Sequence, residues 1–136
     1  MEALRDAVFP GDAEILADVR ELVGDACRRA GCGEECTEQI VLAVNEACMN
    51  IIQHGYRYAR GQAFRILVFA DDGELVVHLL DNGQPAADSD LRPRELDDLR
   101  PGGLGVRFMR DVMDSVTYLP PPEGFANLLQ LKKKIV

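Results

Sequence analysis

The 136-residue chain has no tryptophan, and only 6% of its residues are aromatic, so its core must be mostly aliphatic. It also has no apolar run that approaches the ~20 residues of a membrane-spanning helix. The N-terminus shows no basic segment followed by an apolar one, so we expect neither a signal peptide nor a membrane partner. From these absences we expect a cytoplasmic protein in which residues 1–136 form one domain.

Positive charge is scarce as well, since 15 Lys and Arg residues face 23 Asp and Glu residues and the net charge is −8. Such a surface repels a phosphate backbone, which argues against nucleic acid as a direct partner. The one basic cluster, residues 132–134, is typical of a solvated strand end. The cysteine spacings do not match zinc-binding pairs, so we expect four free thiols rather than a metal site: Cys27, Cys32, Cys36 and Cys48.

The apolar periodicity predicts a mixture of strands and helices along the chain. Strands are expected at 3–9, 64–70, 74–80, 116–119 and 127–133, helices from Asp12 to about 31, from Thr37 to about His54 and over 105–114, and a long loop at 81–102. Because a tight Asp-Asp-Gly turn joins two of the strands, the sheet cannot be purely parallel. The predicted fold class is α+β: a two-layer sandwich with a mixed, mainly antiparallel sheet and helices on one face.

The second predicted helix carries a polar strip opposite its apolar face. Glu46 and Asn50 lie one turn apart on this strip, together with Gln39 and Gln53. A carboxylate beside an amide oxygen suits proton acceptance and also the coordination of Mg²⁺. Taken alone, however, this spacing is more typical of an ordinary solvated helix face.

A second candidate, Asp81-Asn82-Gly83, directly follows a strongly apolar strand. An acidic group at a strand end can accept a hydrogen bond from an exocyclic amine, and a glycine allows a flat ring to approach the backbone. Asp, Asn and Gly are also the usual turn residues, so this motif alone is more typical of a turn.

The third candidate is Gly102-Gly103-Leu104-Gly105, where the long loop leads into a helix. Glycines at a helix N-terminus expose N–H groups and the positive end of the helix dipole, which suits phosphate. A dinucleotide fingerprint is excluded because Phe108 stands where its third glycine belongs. A P-loop is excluded because no Lys-Ser or Lys-Thr pair follows, while a flexible hinge remains compatible with the pattern.

Together and in this order, the three motifs resemble those of the GHKL ATPase superfamily. Within it the chain is most similar to the anti-sigma factor serine kinases. The resemblance is carried by AVNEACMNIIQHGY (43–56), LLDNGQPAADSD (79–90) and GGLGVRFMRDVMDSVTY (102–118), and residues 9–31 look like the opening strand and helix of that family. It implies the Bergerat ATP-binding fold. Pro85 stands where many GHKL proteins have a second glycine, and proline there resembles the serine-kinase branch.

The resemblance implies a role for each residue of the first two motifs. Glu46 would be the general base that takes the proton from an attacking serine hydroxyl. Asn50 would be a ligand of Mg²⁺. Asp81 would accept a hydrogen bond from the amino group of adenine, and Gly83 would lie beside the ring.

For the third motif, the resemblance implies phosphate binding by Gly103 and Gly105, with Leu104 between them in the same segment. Residues 84–101 would form a lid over ATP. Either Arg107 or Arg110 would reach the γ-phosphate, and the sequence does not choose between them. His54 is expected to have a structural role.

The function implied is an ATP- and Mg²⁺-dependent serine-protein kinase. It would phosphorylate a small anti-anti-sigma protein of the STAS type and sequester a sigma factor or an equivalent regulator. The sequence does not determine whether the chain forms a homodimer. One alternative is a nucleotide-binding regulatory module without kinase activity, against which Glu46 argues. The positions of His54 and His78 argue against a histidine kinase fragment, and the long glycine-flanked loop argues against a structural protein without a ligand.

Overall fold

The computed structural model describes residues 2–87 and 103–135. Within these ranges the elements are β1 (Arg5–Pro10), α1 (Leu16–Arg29), α2 (Glu34–Asn50), β2 (Ala63–Asp71), β3 (Glu74–Asp81), α3 (Gly103–Val112), β4 (Ser115–Leu119) and β5 (Asn127–Lys134). A 3-10 turn, Ala13–Ile15, leads into α1, and a π-helical turn, Ile51–Gly55, follows α2. None of the helices found here is both long enough and apolar enough to cross a membrane.

The strands form one sheet in the order β1-β2-β3-β5-β4. Every neighbouring pair in the described residues is antiparallel. Alternate side chains of β2, including Phe64 and Ile66, point into a core that also contains the buried sides of the helices, whereas Arg65 between them is half-buried on the other face. The predicted α+β fold class, with helices on one face of a mainly antiparallel sheet, is confirmed.

The hairpin between β2 and β3 turns where the sequence predicted it. Asp71 pairs with Glu74, and the two residues between them have positive φ angles, 51° at Asp72 and 78° at Gly73. Two consecutive positive φ angles define the tight turn that matches the twist of antiparallel strands, and an Asp-Gly pair accommodates it. The turn fixes the register that brings Asp81 to the end of β3.

Two helices begin earlier than the sequence predicted. The prediction that α2 starts at Thr37 is wrong by one turn, because the helix begins at Glu34. Thr37 is buried in the first turn, and its N–H donates to the Gly33 oxygen at 2.9 Å. Two acidic residues in this first turn interact favourably with the helix dipole and replace the expected threonine cap. The third helix, α3, likewise begins at Gly103 instead of 105.

The core between the helices and the sheet is mostly aliphatic, as the composition predicted. Its largest fully buried side chains include Ile40, Ile52, Ile66, Leu75, Leu79, Met109 and Leu131. Among the described residues only three polar side chains are buried: Thr37, Asp81 and Asn127. Two of these three pair with each other across β3 and β5, where the candidate site lies.

Candidate functional site

The helix that carries Glu46 and Asn50 changes its hydrogen-bonding pattern directly after Asn50. Residues Ile51–Gly55 form a π-helical turn, in which the N–H of Tyr56 donates to the Ile51 oxygen at 2.7 Å. Single π-helical turns at the end of or inside α-helices are frequent at functional sites. The sequence predicted a continuous helix to about His54, and no pattern in it indicates this turn.

Glu46 and Asn50 are both half-buried on the side of α2 that does not pack into the core. The apolar face predicted for this helix is buried, including Ile40, Val44 and Cys48. Neither polar side chain makes a hydrogen bond or an ion pair with any described residue. Their oxygen atoms are therefore not engaged by the described parts of the fold itself.

Asp81 has the opposite surroundings at the end of β3, where it is 4% exposed. Its Oδ1 accepts two hydrogen bonds, one from the Gly83 N–H at 2.8 Å and one from Asn127 Nδ2 at 3.0 Å. Burial raises the pKa of the Asp81 carboxyl, and these two hydrogen bonds oppose that shift. Its second oxygen, Oδ2, accepts no hydrogen bond from the described residues, so one oxygen is fixed and the other is available.

Gly83 lies directly against the end of the π-helical turn. A Cβ atom at position 83 would be 2.8 Å from the Cα, C and O atoms of Gly55, closer than real side chains come. The next residue, Gln84, donates its N–H to the Gly55 oxygen at 3.2 Å. The glycine of the second motif is therefore required by backbone packing against the first, a reason that the sequence interpretation did not contain.

Tyr56, which the sequence analysis did not assign, ties the two motifs together. Its ring is buried, and its hydroxyl donates to the Ala63 oxygen and accepts from the Asn82 N–H at 2.9 Å. The side chain of Asn82 in turn donates to the Gly124 oxygen and accepts from the Ala126 N–H. These bonds hold the segment after β3 to both β2 and the turn before β5.

Asn127 is the second residue that the sequence analysis missed. It opens β5, is 4% exposed, and contacts both the Asp81 carboxylate and the segment that follows β3. The available signal was an asparagine directly before the apolar pair Leu128-Leu129 at the start of a predicted strand. Recognising it required knowing that β5 pairs with β3 in a register that sets Asn127 opposite Asp81.

An open depression of about 320 Å³ lies next to this arrangement. It is lined by Gly55, Tyr56, Ala59, Gln62, Asn82, Gly83 and Gln84. None of Glu46, Asn50 and Asp81 lines it. The depression therefore borders the candidate site on the side of the α2–β2 connection.

The glycine-rich motif opens α3. Gly103, Leu104 and Gly105 form the first turn of this helix, which packs against α2. Arg107 is half-buried and Arg110 exposed in the same helix. Gly102 and the larger part of the predicted lid, 88–101, lie outside the described residues.

Comparison with known proteins finds similar sequences over nearly the whole chain. A family model described as the histidine kinase-like ATPase domain matches residues 9–133, which include all three motif segments. The serine-protein kinase RsbW of Bacillus pumilus is 33% identical over 120 residues, which are 79% of this chain and 73% of the relative. RsbW of Halalkalibacterium halodurans is 30% identical, with 82% and 72% covered, and RsbW of Bacillus cereus is 27% identical, with 79% and 72% covered.

Proposed function

Because the chain belongs to the histidine kinase-like ATPase domain family, as its motifs predicted, we propose that it is an ATP- and Mg²⁺-dependent serine-protein kinase. The observation that carries the proposal is the buried Asp81, of which one oxygen is engaged and the other is available. The relatives that are named serine-protein kinases support the type of reaction.

The residues present fit a nucleotide with a bound magnesium ion. Asp81 Oδ2 would accept a hydrogen bond from the amino group of adenine, and Gly83 would lie beside the ring. Asn50 would offer its amide oxygen to Mg²⁺, a hard cation that prefers oxygen ligands. The first turn of α3, formed by Gly103, Leu104 and Gly105, would direct its N–H groups toward the phosphates. Bound Mg²⁺ would neutralise the phosphate charge.

Glu46 would act as the general base one helical turn before Asn50. Its carboxylate is half-buried and has no partner among the described residues, so it is available to accept the proton of a serine hydroxyl. Phosphoryl transfer depends mainly on positioning and charge neutralisation. A positioned base adds about 10²–10⁴-fold. The α2 helix supports this role, because it places the base and the proposed metal ligand one turn apart on the same helix.

We further propose that the serine belongs to a small STAS-type protein and that the chain also sequesters a sigma factor or an equivalent regulator in the cytoplasm. This choice of partners rests on the resemblance of the motifs to the anti-sigma factor serine kinases. For ATP and ADP to bias which partner is held, each partner must bind one nucleotide state more tightly than the other.

Calorimetric titration with ATP in the presence and absence of Mg²⁺ tests the nucleotide site. We expect Mg²⁺-dependent binding that Asp81→Asn nearly abolishes and Asn50→Ala weakens. Asn45→Ala is the matched control, because Asn45 lies on the same helix and its side chain bonds Arg20 instead. No binding by the wild-type protein at millimolar ATP would overturn the proposal.

Transfer of labelled phosphate from ATP to a STAS-domain protein of the same organism tests the kinase activity. We expect label on the wild-type acceptor and none when its serine is changed to alanine. Tight ATP binding without any transfer would favour a nucleotide-binding regulatory module that lacks kinase activity.

A further inference from the structure

Asn127, the first residue of β5, makes three hydrogen bonds with its side chain. Its Nδ2 donates to Asp81 Oδ1 at 3.0 Å and to the Gln84 oxygen at 2.9 Å. Its Oδ1 accepts from the Ala86 N–H at 2.8 Å. Both hydrogens of the amide nitrogen and the amide oxygen are thus used, which is the full donor capacity of an asparagine.

The chemistry of these three partners fixes the orientation of the amide. One partner is an N–H donor and two are oxygen acceptors, so only one of the two flipped orientations of the side chain satisfies all three. Asn127 pairs with Asp81 in the β3–β5 register, so the two side chains project from neighbouring positions of the same sheet. The donor to Asp81 is therefore in place in the protein without any ligand.

The contact has two consequences for Asp81. It saturates Oδ1 together with the Gly83 N–H, which leaves Oδ2 as the oxygen that can meet a ligand. It also opposes the effect of burial, which raises the pKa of this carboxyl, so it favours the charged form. Among the described residues the titratable neighbour is Tyr56, whose pKa is itself raised by burial, so it stays neutral in the relevant range.

We propose that Asn127 is a positioning residue that holds Asp81 as an oriented, ionised acceptor and thereby makes the site select a purine with an exocyclic amino group. The inference rests on the proposed nucleotide site and goes beyond it, because it assigns the base selectivity to a residue outside the three motifs. An ionised carboxylate can only accept hydrogen bonds, so it pairs with an amino group and repels a carbonyl oxygen. A protonated carboxyl can do both and selects less.

The same side chain also anchors the beginning of the long segment after β3. The Gln84 oxygen and the Ala86 N–H, which Asn127 binds, flank Pro85. Proline has no N–H of its own to offer the sheet, so the asparagine supplies the attachment that the backbone lacks there. Base selectivity and the path of this segment thus depend on one amide.

ATP and inosine triphosphate distinguish the two forms of the carboxyl, since they differ at the 6-position, amino in one and oxo in the other. We would measure both affinities by calorimetry across pH for the wild type, Asn127→Ala and Asn127→Leu. Asn127→Leu keeps the volume and removes both polar groups. The matched control is Asn82→Ala, which removes an adjacent asparagine that holds the same segment without touching the carboxylate.

In the wild type we expect ATP affinity to fall as pH is lowered through the pKa of Asp81. Both Asn127 variants should move this midpoint upward by about one pH unit, because a hydrogen bond to a charged group is lost. Between the two midpoints the preference for ATP over inosine triphosphate should fall about tenfold or more. Asn82→Ala should leave the midpoint and the preference unchanged.

The carboxyl ¹³C signal of Asp81, followed by NMR through the same pH range, measures this pKa without any nucleotide. An identical Asp81 pKa in the wild type and in whichever Asn127 variant folds would overturn the inference, and so would an unchanged preference for ATP. A purely structural role would weaken both nucleotides equally at every pH and move no midpoint. If the wild type bound neither nucleotide while the pKa still depended on Asn127, the proposed function and the base selectivity would both be wrong.

Discussion

The two ends of the candidate site differ in how much the fold has already arranged. At the end of β3, Asp81 is buried and bonded by Gly83 and Asn127. On α2, Glu46 and Asn50 are half-buried and make no side-chain bond with the described residues. The Asp81 side chain is held by hydrogen bonds, whereas the side chains of Glu46 and Asn50 are held by none from the described residues.

This difference separates stability from activity. A side chain that the fold uses for its own hydrogen bonds cannot be changed without a cost in folding free energy, because a buried partner is left unsatisfied. A side chain without such bonds can be changed with little effect on folding. We therefore expect changes of Glu46 and Asn50 to affect catalysis or Mg²⁺-dependent binding with little effect on stability, and changes around Asp81 to affect binding and stability together.

The largest expected effect is on the rate of phosphate transfer in Glu46→Gln. Removing a positioned general base should slow transfer by about 10²–10⁴-fold. The same change should alter the free energy of unfolding by less than about 0.5 kcal/mol. Rates are measured with labelled ATP and a STAS-type acceptor, and stability by urea unfolding.

Glu38→Gln is the control, since Glu38 is exposed on the same helix and the change in charge is identical. It should transfer phosphate at the wild-type rate. A Glu46→Gln variant that transfers at that rate as well would remove Glu46 from the mechanism. If Glu46→Gln unfolded, the Glu46 side chain would be needed for stability, as the side chains around Asp81 are expected to be.

Gly83 and Gly55 face each other in one contact, but replacing each of them by alanine should affect stability to different extents. Gly83→Ala would bring a Cβ to 2.8 Å from three backbone atoms of Gly55, and backbone cannot move aside as a flexible side chain can. We expect a loss of about 1–3 kcal/mol in the free energy of unfolding. ATP binding should weaken with it, because Gly83 also donates to Asp81.

Gly55→Ala is the reciprocal change, and its Cβ would meet Gly83 and Asp81 only at 3.8 and 3.9 Å, which is ordinary contact. Its stability should therefore stay within about 0.5 kcal/mol of the wild type. Chemical denaturation of both variants measures the difference. Equal losses of stability in the two variants would show that the close approach of position 83 to Gly55 does not determine the stability of this region.

Sequence patterns predicted the sheet and the helices well because apolar periodicity reports directly on burial. The β2–β3 turn was predicted because two positive φ angles in succession favour particular residues, here Asp72 and Gly73. The start of α2 was wrong because a threonine is a good cap in general, while the Gly33-Glu34 boundary depends on the preceding chain path. Helix boundaries are thus less determined by local sequence than the helices themselves.

Glu46, Asn50 and Asp81 were proposed as site residues because their motifs, in this order and combination, resemble those of a known family. Taken alone, each pattern is more typical of a solvated helix face or a turn. Tyr56 and Asn127 were missed because their roles arise from pairing between segments far apart in the chain, through the β3–β5 register and a π-helical turn. Such contacts are absent from any local pattern, so the network around Asp81 became visible only in the fold.

A smaller effect is expected from Tyr56→Phe, which removes one hydroxyl from the Asp81 end. The hydroxyl joins the Ala63 oxygen to the Asn82 N–H, so its loss leaves both without this partner. We expect the free energy of unfolding to fall by about 1 kcal/mol, the net value of a typical hydrogen bond. Urea unfolding measures it, and Tyr58→Phe is the control because the Tyr58 side chain is 62% exposed. An unchanged stability in Tyr56→Phe would mean that the hydroxyl adds nothing to the contacts of Gly55 with Gly83 and Gln84.

The smallest expected effect is a pH dependence with opposite signs for folding and for binding. Burial raises the pKa of Asp81 above its ordinary value of 3.8, so the folded protein takes up this proton at a higher pH than the unfolded chain. As pH falls from the raised pKa toward 3.8, protonation relieves the buried charge, and the contribution of Asp81 to the free energy of unfolding rises. The same proton removes the ionised acceptor, so ATP affinity falls over the same range.

Because the pKa values of Asp6 and Asp25 are lowered by their arginine partners, which has the opposite effect on stability, the contribution of Asp81 must be isolated by difference. Thermal unfolding of the wild type and of Asp81→Asn across pH gives this difference, and titration with ATP gives the affinity. If the stability contribution of Asp81 rises while ATP affinity falls as pH is lowered, the ionised carboxylate destabilises the fold but is needed to bind the ligand. If stability and ATP affinity both fell as pH is lowered, the ionised form of Asp81 would stabilise the folded protein as well as bind the ligand.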